Sequence, residues 1–142
     1  MRDFACGYDL DNPRWTTNRK SHATWCRTTS QEAVANETAQ RRGEVKLCRL
    51  CRAYANAATA AAADNVKLKC GLSGARWSDK AGDHFGWCMG LREADAKPDA
   101  ADHAALAAAM EKSTNPETAG RILEIEQCRL RPPASRKPSP RT

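Results

Sequence analysis

Apolar and polar positions along this chain recur at helical spacing, and no stretch shows the alternation of a half-buried strand. Trp15, Arg19, His22 and Cys26 are spaced four, three and four residues apart, which predicts a first helix with these side chains on one face. Thr16 is placed to cap it, as Ser78 is for a matching helix further on, where Gly82 and Gly86 weaken the pattern. Thr29 and Glu32 have capping-box spacing and predict a second helix running to about Leu47. Residues 51–65, CRAYANAATAAAADN, are the strongest helix former in the chain, with Asp64-Asn65 as its end. Asn115-Pro116 predicts a cap followed by proline in the first turn of a helix from Glu117 to Gln127. Glu37–Arg41 and Glu117–Arg121 each place an acid four residues before a base, the favourable order for a surface ion pair on a helix.

These elements repeat. Cys6 to Cys26 and Cys70 to Cys88 keep register when Arg14-Trp15 is set on Arg76-Trp77: His22 falls on His84 and Trp25-Cys26 on Trp87-Cys88. Glu37-Thr38-Ala39 then matches Glu117-Thr118-Ala119, and Cys48-Arg49-Leu50 matches Cys128-Arg129-Leu130. The second copy carries an alanine-rich insertion at about 95–112, since Cys88 and Cys128 are 40 residues apart against 22 for Cys26 and Cys48. The expected organisation is a first unit over 1–50 and a second over 51–130 that opens with the helix 51–65. A Pro-, Ser- and Arg-rich tail over 131–142 is expected to be disordered.

Composition narrows the class. The hydrophobic fraction of 41% is largely alanine and aromatics are only 6%, so units this small need staples, and seven cysteines supply them. Of the net charge of +6, five charges lie beyond Cys128, where there is no acid. The remaining chain is close to neutral and carries no nucleic-acid footprint, leaving the basic tail as the one segment suited to that role. No apolar run is long enough to span a bilayer, and residues 1–8 lack a signal-peptide core.

A complete unit reads Cys51, Cys70, Cys88, Cys128, and the first copy has Cys6, Cys26 and Cys48, so seven cysteines are eight less one. The simplest local pairing is Cys51–Cys70, Cys88–Cys128 and Cys26–Cys48, with Cys6 unpaired or linking two chains. Because the first copy starts inside the unit, a full product is expected to carry an upstream cysteine and an export signal, and to be secreted or periplasmic.

The rival is zinc, held by Cys6, His22, Cys26 and Cys48 and again by Cys70, His84, Cys88 and Cys128, with each His one helical turn from a Cys. The long spacings between ligands disfavour it. Cys48 and Cys51 form a CxxC, but without the βαβ context of a redox motif.

Arg14, Trp15, His22 and Trp25, with their counterparts Arg76, Trp77, His84 and Trp87, admit two readings. They are either a ligand site in each copy, suited to a glycan or another repeating polymer, or tryptophan packed on cystine in a small core. Packing is the preferred reading. A third function class, a small cell-wall hydrolase using the histidines, lacks a recognisable nucleophile or phosphate loop. The expected protein is thus all-α, a disulfide-stapled tandem repeat of helical hairpins, and an exported, non-enzymatic binding module without a cofactor. The alternative is a zinc-stabilised Cys3His module touching nucleic acid.

Overall fold

The computed structural model describes residues 15–94 and 103–132. Its elements are α1 (Arg19–Thr28), α2 (Gln31–Lys67), a 3-10 turn (Ala75–Trp77), α3 (Ala81–Ala94) and α4 (His103–Leu130). The fold is all-α, and no strand occurs among the described residues. Residues 133–142, most of the tail expected to be disordered, lie outside the description, as do 95–102 of the insertion. Among the described residues no helix is long and apolar enough to cross a membrane.

Several helix boundaries differ from expectation for local reasons. Trp15 and Thr16 precede α1, whose cap is Asn18, accepting from the backbone of Lys20 and Ser21. Thr16 accepts instead from the Asn18 N–H. Ser30 rather than Thr29 caps α2, accepting from the Ala33 N–H. That helix does not stop near Leu47 but continues through Cys48 and Cys51 into the alanine-rich segment as one 37-residue element. Nothing between Leu47 and Cys51 is a breaker, and alanine carries the helix onward. Likewise Pro116 does not open a helix but lies inside the 28-residue α4. Packing of Leu106, Ala107 and Met110 before it, and of Ile125 and Cys128 after it, holds both halves against the cost of an interior proline.

α2 is the spine. Leu47, Cys51, Tyr54, Ala55, Ala58, Ala62 and Asn65 are buried along it at helical spacing. α3 returns antiparallel, since Cys88 meets Cys51 and His84 meets Tyr54. α4 runs in the same direction as α2: Leu106 to Met110 join Leu47 to Tyr54 in one apolar cluster, and Cys128 meets Cys70 in a second. Leu68, Leu72 and Trp77 pack against that second cluster.

The chain leaves α2 through a Schellman turn. The Cys70 N–H bonds to the Asn65 carbonyl and the Lys69 N–H to that of Val66, with Lys69 at φ 54° where glycine is usual. Asn65 then clasps the returning loop. Its buried side chain donates to the Leu72 carbonyl at 2.7 Å and accepts from the Leu72 N–H at 3.0 Å.

The cystines correct the expected pairing. They include Cys51–Cys88, with Cα atoms 5.4 Å apart, and Cys70–Cys128, with Cα atoms 5.7 Å apart. Cys51–Cys70 is excluded by geometry: the helix from Cys51 to Lys67 carries the two about 24 Å apart at 1.5 Å per residue, far beyond disulfide reach. The same holds for Cys88–Cys128, whose members join different apolar clusters. Cys26 is free and exposed, and Cys48 is bonded to another cysteine, so Cys26–Cys48 does not form. Cys48 lies about 26 Å along α2 from the end that α1 feeds. Cys6, expected unpaired, lies outside the described residues.

Two outcomes follow. Peptide mapping under non-reducing conditions will return Cys51–Cys88 and Cys70–Cys128, and replacing Cys51 and Cys88 by alanine will cost about 4 kcal/mol in urea unfolding. Asn65→Ala, which strands both backbone groups of Leu72, will cost about 2 to 3 kcal/mol in the same measurement.

Candidate functional site

Where α2, α3, α4 and the 3-10 turn converge, they enclose a cleft of about 260 Å³. Its floor is built on Tyr54 of α2, which is 6% exposed. The Trp87 indole lies against Tyr54 with ring centroids 5.2 Å apart and still keeps 45% of its surface exposed. His84, one turn before Cys88 on α3, meets the Tyr54 ring edge-on at 6.3 Å. The Cys51–Cys88 cystine fixes α3 on α2 and thereby sets both contacts.

Arg121 enters from α4 and is 3% exposed. Its Nη2 donates to the Tyr54 hydroxyl at 2.9 Å, its Nε donates to the Arg76 carbonyl at 3.0 Å, and its guanidinium carbon lies 5.1 Å from the centre of the Tyr54 ring. This cation is held by neutral acceptors and a π face rather than by a carboxylate. Nη1 is buried without a hydrogen-bond partner. The expected Glu117–Arg121 ion pair is therefore replaced. Glu117 and Glu124 approach Arg76 instead, at 3.4 and 3.6 Å. Gly120 leaves room for the Arg76 guanidinium, whose end would have to shift if a Cβ stood there. The first-copy pair does form, with Arg41 Nε donating to Glu37 at 2.9 Å.

His84 is 4% exposed, and its Nε2–H donates to the Ser78 carbonyl at 2.7 Å. A carbonyl only accepts, so the proton resides on Nε2 in this contact, and the ring anchors the 78–83 turn to α3. Ser78 in turn accepts from the Lys80 N–H and donates to Asp83 at 2.7 Å, placing that carboxylate at the cleft rim. An imidazole so tied and buried is a positioning element, not a base facing solvent.

Of the residues singled out from the pattern, Arg76, His84 and Trp87 come together here. Trp77 does not. It packs against the cluster of Cys70, Ile125 and Cys128. In the first copy, Trp15 is half-buried ahead of α1, His22 is half-buried and Trp25 is exposed on α1, and Arg14 lies outside the described residues. His22 repeats its counterpart's bond, with Nε2–H donating to the Thr16 carbonyl at 2.6 Å. Tyr54 and Arg121 were missed as site residues. The Arg41–Arg121 match was the available signal, but as half of an i,i+4 pair it read as surface support.

The metal alternative is not assembled in the second set, because Cys70, Cys88 and Cys128 are consumed in cystines and present no thiolates. In the first set Cys48 is also cystine-bonded, and Cys6 lies outside the described residues. Among the described residues no three His, Cys, Asp or Glu side chains gather to hold a metal. Comparisons with protein-family models, curated proteins and solved structures return no match, so the functional reading rests on this geometry.

Tyr54→Phe removes the acceptor for Arg121 and leaves a buried charged donor unpaired. It will cost about 2 kcal/mol in urea unfolding although the ring and its apolar contacts remain.

Proposed function

We propose that the chain is an exported, disulfide-stabilised, non-enzymatic binding module of two homologous units, with a glycan or similar repeating polymer as ligand. The observation that carries the ligand class is Trp87, which offers a half-exposed indole face braced from behind by Tyr54. An aromatic face with hydrogen-bonding groups at its edge suits a sugar ring, which has an apolar face and polar hydroxyls around it. Asp83 and the Arg76–Glu117 pair supply acceptors and donors at that edge. The cleft of about 260 Å³ is the size of one ring rather than of an extended ligand.

Export is supported by the two cystines, which persist in oxidising compartments and are rare where thiols are kept reduced. The two-unit reading is supported by the matched histidine bonds to Thr16 and Ser78 at 2.6 and 2.7 Å, each reaching the carbonyl six residues earlier.

Screening the full chain with cystines intact on an array of polysaccharide fragments tests the reading. Trp87→Ala will weaken binding at least tenfold while circular dichroism and thermal melting stay close to those of the parent. Binding that is undiminished in folded Trp87→Ala, or no binding by the parent, defeats the proposal.

A further inference from the structure

Arg121 borders two hollows. One is the Trp87 cleft, and the other is a groove of about 280 Å³ between α2 and α4. The two helices run in the same direction, and Ala57, Ala60 and Ala61 of α2 face Ile122 and Ile125 of α4 across the groove. Alanine creates the space, since longer side chains on α2 would fill it. The lining is apolar and open to solvent, with Ala60 exposed and Ile122 57% exposed. An apolar cavity of about 150 Å³ holds one benzene ring, so this groove has room for a larger hydrocarbon body.

At one end of this apolar groove sits a cation without a counter-ion. Arg121 is 3% exposed and forms no ion pair among the described residues, because the nearby Glu117 and Glu124 carboxylates approach Arg76 instead. Its Nε and Nη2 share one edge of the planar guanidinium. Both are spent, on the Arg76 carbonyl and the Tyr54 hydroxyl, and those two residues belong to the cleft. Nη1 lies on the other edge, away from the Nε–H, and is buried with no acceptor. A buried charge left uncompensated is costly, and a charge-assisted bond to a carboxylate is the interaction that relieves it best. Beyond Ile125 the groove is lined by Asp64, Glu126 and Arg129. Two acids against one base make that end unfavourable for an anion and direct a carboxylate towards Arg121.

We propose that the α2–α4 groove is a binding site for a small apolar monocarboxylate. Its hydrocarbon body lies on Ala60, Ala61, Ile122 and Ile125, and its carboxylate accepts from Arg121 Nη1. Nη1 is shielded from water, so the carboxylate reaches it by turning a wall side chain aside, and the exposed Ile122 has room to move. The site is distinct from the glycan cleft, since Trp87 does not line it, although Arg121 is a wall of both.

The test titrates the full chain, cystines intact, with 2-naphthoate and with 2-naphthamide, which has the same rings and no charge. By isothermal calorimetry naphthoate will bind at one site per chain, at least tenfold more tightly than the amide. Ala60→Trp fills the groove from an exposed position and will weaken naphthoate at least tenfold, with thermal melting close to that of the parent. Trp87→Ala will leave naphthoate binding unchanged. Methyl NMR shifts of Ile122 and Ile125 in the parent locate the ligand without any substitution, and both will move on titration. Absence of naphthoate binding, equal binding of the amide, or undiminished binding by folded Ala60→Trp overturns the proposal. So do unmoved Ile122 and Ile125 methyl signals, or loss of naphthoate binding in Trp87→Ala, which assigns the ligand to the cleft. Glycan binding enters none of these readouts, so its failure and the failure of this site are separate results.

Discussion

Everything in this fold is referred to one long helix that cannot form a core by its own side chains. At 37 residues α2 is about 55 Å long, and much of its buried stripe is alanine, which gives close approach but little apolar area. The Cys51–Cys88 and Cys70–Cys128 cystines supply the missing constraint at separate heights. Cys51–Cys88 holds α3 at mid-helix, and Cys70–Cys128 holds the end of α4 just past the helix terminus. Each closes a long loop, 37 and 58 residues in separation, and so restricts the unfolded chain strongly. The apolar clusters form around these two points because the cystines bring Leu47, Leu106 and Met110, or Ile125, Leu72 and Trp77, into register with them.

Between the two clusters, beside the buried alanines of α2, Arg121 organises a polar contact. A buried guanidinium is costly unless its donors are met. Here the Tyr54 hydroxyl and the Arg76 carbonyl meet two of them, tying α4 to α2 and to the turn that follows it. The same arrangement shapes the surface above. Tyr54, fixed from below by Arg121, backs the Trp87 indole, and Arg76, its carbonyl taken, extends its guanidinium towards Glu117 and Glu124. The proposed ligand cleft is thus the outer side of a structural clasp, with its aromatic floor held rigid by bonds that belong to the fold.

Much of the helical character was legible from residue spacing and alanine content, because helix propensity and capping are local properties. Where one helix stops was less legible. The capping signals at Thr29 and at Asn115-Pro116 were real local preferences, but Ser30 took the first cap, and packing on both sides of Pro116 overrode the second. The site was half legible. Arg76, His84 and Trp87 stood out by matching the first copy, whereas Tyr54 lay in an alanine-rich stretch and Arg121 in an ordinary ion-pair spacing.

The sequence by itself determined the class of the protein: helical, poor in aromatic core, and dependent on cysteines. Only the tertiary structure decided which cysteines join, because pairing depends on how far a continuous helix carries two thiols apart, and sequence separation does not measure that distance. By the same reasoning only the structure shows Cys26 as a free, exposed thiol and Cys48 as cystine-bonded, two cysteines that sequence spacing alone would join.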